Sequence, residues 1–292
     1  MKQTFIALCA AALAFVSCSE KDEWRYLLDE NLSNFEIYQS FEFTTPEYHG
    51  YPLDENGEKI PQIGYNKNYK DLFTVDMIDG EPVLHVNGMT YGCVFTKEEF
   101  SNYIINLKVK FGENRYYPRK NLAMDSGLLY HSQGEGGIDY WYSWKRSEEF
   151  QIQEGGTHEG NYGDWWGVGQ VRCTVKSSNQ EGSDRWYDPD GERFIFGTRG
   201  DGANHVRVPD YGLPHGEWND ITLVCYGDKS VHIVNGNVVM ALEDLQYVED
   251  GEIHRLDHGQ IQLQSEGAEC YYKQVRIKPI DSMPAEYAHL FE

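Results

Sequence analysis

The chain has 292 residues, 14% of them aromatic, with 21 tyrosines, 7 tryptophans and 29 glycines. Its formal net charge of −22 repels phosphate backbones and excludes a general nucleic-acid binder. The length suits one large β domain or two ordinary ones, and abundant Tyr, Trp and Gly favour strands joined by tight turns.

Lys2 gives a short positive start, and residues 4–16, TFIALCAAALAFV, form an apolar run too short to span a bilayer. The run closes on Cys18 in FVSC. This resembles the lipobox of bacterial lipoproteins, in which the cysteine is acylated and becomes the first mature residue; Phe15 stands where Leu, Val or Ile is usual. Ser19 follows, and SEKDE is similar to the acidic tether of surface lipoproteins in the Bacteroides group. The resemblance implies a signal peptide over 1–17 and a lipidated tether with a lead-in segment over 18–40. It also implies an exported outer-membrane lipoprotein, surface-exposed, touching the membrane only through the lipid on Cys18. Cleavage leaves Cys93, Cys173, Cys225 and Cys270, with no C-x-x-C pair. Their apolar surroundings read as buried thiols rather than disulfides.

From residue 41 the text predicts a single β-sandwich domain ending at 292. Residues 41–70 read as an irregular loop. LFTVDMIDGEPVLHVNG then breaks at Asp79-Gly80, a hairpin signal, and YIINLKVKFG and SGLLYHS read as strands. The strand at 149–154 follows as a natural neighbour of SGLLYHS. Residues 176–217 are a second long polar region, of a length that is usually functional. Strands resume around turns at Gly227-Asp228 and Asn235-Gly236, and two more are joined at Glu266-Gly267. About a dozen short strands with hairpin turns predict an all-β sandwich with long loops and a concave face for a ligand.

The segment EEFQIQEGGTHEGNYGDWW, from residue 148, carries the chemistry. On a pleated strand Glu149, Gln151 and Gln153 share one face, and Phe150 and Ile152 the other. His131 in LLYHS is the natural partner of Glu149 if the two strands pair. Together they could act as base and electrophile, or as two ligands of a divalent metal ion, the one cofactor the sequence suggests. Glu154 lies at an odd offset from Glu149, so only a bulge or the strand end could turn it inward. Asp164, Trp165 and Trp166 suit a sugar, whose CH face packs on an indole while carboxylates take its hydroxyls. His158 and Glu159, on the loop between, could be a lid or extra ligands. Tyr130, Gln264, Glu266 and Lys273 are further candidates for lining the cleft.

The ordered set of motifs also resembles a family. GEWNDITLVCYGDKSVHIVNGNVV, IQLQSEG and YYKQVRIKPI are similar to the closing strands of the bacterial 3-keto-disaccharide hydrolase domain. Trp218, Asn219, Asn235, Gly236, Leu263, Gln264 and Gly267 fit its pattern, while Lys273 and Gln274 replace its Arg-Asn pair. Upstream, DSGLLYHS, EFQIQEGG, GDWW and LLDENLSNF fit as well, so the resemblance spans roughly 24–282. It implies a concanavalin A-like jelly-roll sandwich and a carbohydrate partner, a 3-keto-glycoside or oligosaccharide. It also implies glycosidic-bond cleavage by abstraction of the C2 proton, elimination and addition of water. The string EFQIQE is similar, too, to the Glu-x-Asp-x-x-Glu motif of retaining endoglucanases, with Gln151 in place of Asp. That alternative makes Glu149 the nucleophile and Glu154 the acid/base. A third reading is a non-catalytic glycan-binding lipoprotein.

Overall fold

The computed structural model describes residues 23–44, 52–138, 142–154, 160–179 and 185–292. Cys18, His158 and Glu159 lie outside the described residues. Strands are numbered in chain order. The larger sheet runs β12 (Arg185–Tyr187), β11 (Val171–Asn179), β17 (Asn237–Glu249), β16 (Lys229–Val234), β15 (Asn219–Tyr226), β7 (Tyr103–Arg115), β20 (Ala268–Pro279), β5 (Glu81–Val86), β4 (Phe73–Ile78). Three short strands join it: β1 (Arg25–Tyr26) on β20, β13 (Glu192–Gly197) on β11 and β18 (Glu252–Arg255) on β17. The smaller sheet runs β14 (His205–Val206), β10 (Trp165–Val168), β9 (Arg146–Gln153), β8 (Asp125–Gln133), β19 (Gln260–Ser265), β6 (Gly92–Thr96), β2 (Phe35–Gln39), β3 (Gly64–Tyr65). The result is the all-β jelly-roll sandwich that was expected.

The core lies between the sheets. Leu107, Val109, Phe111 and Leu223 of the larger sheet belong to one buried cluster with Leu128, Phe150, Ile152 and Leu263 of the smaller. Inward residues alternate with outward ones, as a two-residue period requires. The turns at Asp79-Gly80, Gly227-Asp228 and Asn235-Gly236 join β4 to β5, β15 to β16 and β16 to β17 as hairpins. Glu266-Gly267 instead turns the chain from one sheet to the other. The four described cysteines are buried free thiols.

Two readings of the chain change. The sandwich begins before residue 41, because β2 pairs with β6 and buries Phe35 and Tyr38. The region 176–217 is not one loop; it contains the end of β11 together with β12, β13 and β14. Its turn-rich segments, DPDG and GTRGDG, mask the alternation of ERFIFG between them.

Polar groups also enter the core. Glu148 of β9 points between the sheets, where Trp165 Nε1 donates to its Oε2 at 2.5 Å. Burial pushes its carboxyl well above the ordinary range, keeping it neutral. His232 of β16 stacks on Phe150, and burial takes its pKa down to about 3. His131 is also pushed down to about 3 by burial. Both imidazoles therefore stay neutral in the native state.

The signs of these shifts oppose each other. Stability owed to the two histidines is present above pH 6.5 and is lost as pH falls from there towards about 3. Stability owed to Glu148 is present below pH 4.5 and is lost as pH rises above it. The variant Glu148→Gln should therefore gain stability on the wild type as pH rises from roughly 4 to 8. Urea unfolding at the two pH values measures the difference; a gap that does not change with pH would show that Glu148 ionises freely in the fold.

Candidate functional site

Strands β8 and β9 pair as the sequence predicts, with Asp125 opposite Gln153, Gly127 opposite Gln151 and Leu129 opposite Glu149. The outer face of the smaller sheet consequently collects Glu149, Gln151, Gln153 and Asp125. They are recessed, with Glu149 and Gln151 each 5% exposed. From β19, Gln264 reaches the same place. A Cβ at Gly127 would lie 2.4 Å from Glu149 Oε1 and 2.5 Å from Gln264 Oε1, so the missing side chain is what lets the two meet. Gln264 is fully buried, and neither polar atom of its amide has a hydrogen-bond partner within the protein. A buried amide left without a partner is unusual and marks this spot.

Asp125 organises this face. It accepts from Gln151 Nε2 at 2.9 Å and Gln153 Nε2 at 2.7 Å, and Arg119 Nη2 sits 2.9 Å from its Oδ2. Arg119 Nη1 is also 3.9 Å from Glu266 Oε1. The two amides are thereby fixed in orientation beside Glu149. Gln153 Oε1 points at Gly160, where a Cβ would come within 2.4 Å.

One border of the face is aromatic. Trp166 is opposite Glu149 across β10–β9, and its ring stacks on His205 at 4.0 Å and 10°. Asp164 holds that pair: its Oδ2 is 2.9 Å from His205 Nε2, and its Oδ1 accepts from the Val208 amide at 2.8 Å. Asp164 therefore positions the rim rather than offering a free carboxylate. The other border is a hydrophobic cap in which Tyr38, Tyr91, Phe95, Leu129 and Trp144 cluster. Beyond it, Lys145 donates to Gln260 Oε1 at 2.6 Å and lies over the Phe95 ring, and burial lowers its pKa.

Several expected members are elsewhere. Simple alternation puts His131 on the face of Leu129 and Glu149. Instead it has φ 52°, and the β8–β9 register shifts between Tyr130 and Gln133. The bulge turns its ring into the core, 6.0 Å from Tyr103 of the opposite sheet. The proposed pair of His131 with Glu149, catalytic or metal-binding, is not formed. No group of three or more His, Cys, Asp and Glu side chains among the described residues could hold a metal ion. The described residues therefore do not fit a bound divalent cation.

Glu154 is also turned away. The β8–β9 pairing runs without a bulge from Asp125–Gln153 to Tyr130–Glu148, so nothing reverses the odd offset. The Glu154 carboxylate bonds His215 Nδ1 at 2.5 Å and lies 3.6 Å from Arg115 Nη2, at the end of the larger sheet. It cannot serve as the acid/base partner of Glu149 in a retaining dyad. Tyr130 faces inward, bonding Ser230 Oγ at 2.7 Å and His232 Nε2 at 3.1 Å. Trp165 is core, bound to Glu148 and fully buried. Lys273 is on the larger sheet, where it pairs with Glu81 at 3.1 Å and lies over Trp218. Alternation along β20 sends it outward while Tyr272 fills the core.

The residues missed in the sequence are Asp125, Gly127, Arg119 and His205. The first two were legible, since they share the two-residue period of DSGLLYHS with Leu129. Arg119 and His205 arrive from other loops and strands and leave no local signal.

A recessed face of two carboxylates, Glu149 and Asp125, and several amides, bordered by an indole, has the chemistry of a sugar-binding surface. The sequence profile of the 3-keto-alpha-glucoside-1,2-lyase-like domain matches residues 23–278, and the chain belongs to that family. Among solved structures, a protein of Parabacteroides distasonis provisionally named a glycosyl hydrolase is 16% identical. That match covers 88% of this chain and all of the other, with a TM-score of 0.46. A second such protein from the same organism is 21% identical over 71% of this chain and 83% of its own, with a TM-score of 0.41. The beta-glucanase of Bacillus licheniformis is 7% identical over 88% and 97%, with a TM-score of 0.42. No curated protein matches the chain.

The close approach at Gly127 is testable. Gly127→Ala should cost about 1–3 kcal/mol, because a methyl group there displaces both Glu149 and Gln264. Thermal or urea unfolding reads this directly; an unchanged midpoint would mean that the face has room to spare.

Proposed function

We propose that the protein cleaves the glycosidic bond of 3-keto sugars on the outer face of the smaller sheet. The observation that carries this reading is Glu149, recessed over Gly127 beside the unpartnered amide of Gln264, in a chain of this family. A ketone at C3 acidifies the proton at C2. Glu149 takes that proton, an enolate forms, and the C1–O bond breaks as its electrons leave with the aglycone oxygen, which is then protonated. Water adds to the unsaturated sugar to complete hydrolysis. The step needs a base and fixed donors near developing negative charge. Gln264 lies beside the base over Gly127, and Gln151 shares its strand face, held by Asp125, whose charge Arg119 neutralises. Trp166 offers its ring to the sugar's CH face.

We also infer, from the N-terminal sequence alone, that the domain lies outside the cell. The apolar start and Cys18 suit export, acylation and anchoring at the outer membrane, with the domain on the surface. Labelling with a radioactive or alkyne fatty acid, lost in Cys18→Ala, tests the anchor.

The catalytic test compares a 3-keto-glucoside with its unoxidised parent. The protein should cleave only the keto sugar. Glu149→Gln should lower the rate about 10²–10⁴-fold. Glu154→Gln, whose carboxylate lies on another surface, should stay near wild type. Cleavage of the parent sugar would favour a conventional glycosidase, and binding without turnover a glycan-binding protein. Full activity in Glu149→Gln would remove Glu149 as the base.

A further inference from the structure

Beyond Trp166 and His205 the outer face continues into a second cleft of about 400 Å³. Its walls include Arg185, Phe194, Phe196, His205 and Arg207, with Asp201 exposed at the rim. The backbone builds it compactly. Trp186 and Arg207 form a parallel bridge, and the Arg207 amide donates to the Arg185 carbonyl at 3.2 Å. The two guanidinium-bearing residues are thus held side by side at the edge of the smaller sheet. Val206, between His205 and Arg207, is buried in the core. Alternation then puts His205 and Arg207 on the side of the sheet that carries Trp166.

The charge here runs against that of the chain. The protein carries −22 overall, yet the described lining of this cleft holds two arginines and a single exposed aspartate, with His205 held by Asp164. Arg185 forms no ion pair among the described residues. Its Nη1 donates to the Ser177 carbonyl at 3.2 Å and to Ser177 Oγ at 3.1 Å, and its guanidinium lies 3.6 Å from the centre of the Phe194 ring. The ring fixes the plane of the fork and leaves further N–H donors for a ligand. A planar fork beside an aromatic wall suits an oxyanion, a carboxylate or a sulfate, taken in bidentate fashion.

We propose that this cleft binds an acidic substituent of the glycan, a uronate carboxylate or a sulfate ester, on a sugar unit adjacent to the one that meets Trp166 and Glu149. The proposal rests on reading the Trp166 face as the glycan cleft, and it adds a specificity determinant that the cleavage chemistry does not require. Arg185 is its principal contact, and Arg207 lines the cleft beside it.

The test measures binding by calorimetry of three oligosaccharides of equal length: a hexuronate, a sulfated glucan fragment and the neutral glucan fragment. At least one acidic ligand should bind roughly tenfold or more tightly than the neutral one, since a charged hydrogen-bonded pair contributes on this scale. Raising salt should shrink that preference. Arg185→Gln should abolish it and leave neutral binding within about twofold, while Arg185→Lys should keep part of it through charge alone. Circular dichroism confirms that both variants fold. Which acidic ligand wins distinguishes carboxylate from sulfate. Equal binding of all three, no binding of any, or a preference that survives Arg185→Gln would overturn the proposal. The preference should persist in Glu149→Gln, so absence of keto-sugar cleavage with the preference intact would count against the catalytic reading alone.

Discussion

A pleated strand sends neighbouring side chains to opposite faces, and in β9 this separates two adjacent glutamates into different chemical worlds. Glu148 goes between the sheets, where Trp165 caps it and burial holds it neutral. Glu149 goes outward, opposite Trp166 and over Gly127. A slip of one residue in the register would exchange them, placing the apolar Phe150 and Ile152 on the polar face. The core cluster around Phe150 and Ile152 therefore does more than stabilise the sandwich. By fixing which side of β9 is buried, it fixes which glutamate can meet a ligand.

Around that choice the face is held by hydrogen bonds rather than packing. Asp125 takes two amides and a guanidinium, so its charge is answered three ways and its geometry is rigid. Charge-assisted bonds in a recessed place are stronger than in water, and each fixes its neighbour. Gln151 and Gln153 are oriented by this hub, whereas Gln264 arrives from β19 with no such restraint. The face thus combines a rigid half, built on Asp125, with an available amide beside Glu149.

How much of this could be read from the sequence depends on the range of each interaction. The strand pairing of SGLLYHS with EEFQIQ was legible because alternation and turn signals are local. Glu149, Gln151 and Gln153 followed from the same period. The split of Trp165 from Trp166 was implicit in it too, since adjacent residues on a strand cannot share a face. His131 was misplaced because a left-handed residue at a bulge reverses the alternation, and bulges carry no reliable mark in a single sequence. Lys273 was misplaced because its motif gave no information about which sheet β20 would join. Arg119 and Arg185 act across the fold from turn-rich segments, where periodicity has nothing to report.

The composition of the face bears on the kind of transition state it can serve. A conventional retaining glycosidase develops positive charge at the sugar and answers it with two carboxylates roughly 5–5.5 Å apart. Here the second candidate, Glu154, is occupied by His215 at another surface. Asp125 is opposite Gln153, well along the strands from the Leu129–Glu149 pair, and is already neutralised by Arg119. What stands beside Glu149 is a set of amides, whose N–H groups can answer developing negative charge. A lone carboxylate is a weak base, adequate only where the substrate's own C–H bond has been acidified. A ketone next to the proton supplies that acidity, and the enolate it produces is the charge that these donors are suited to hold. On the proposed reading, the amide-rich face and the outward Glu149 suit a substrate that has been oxidised before it arrives.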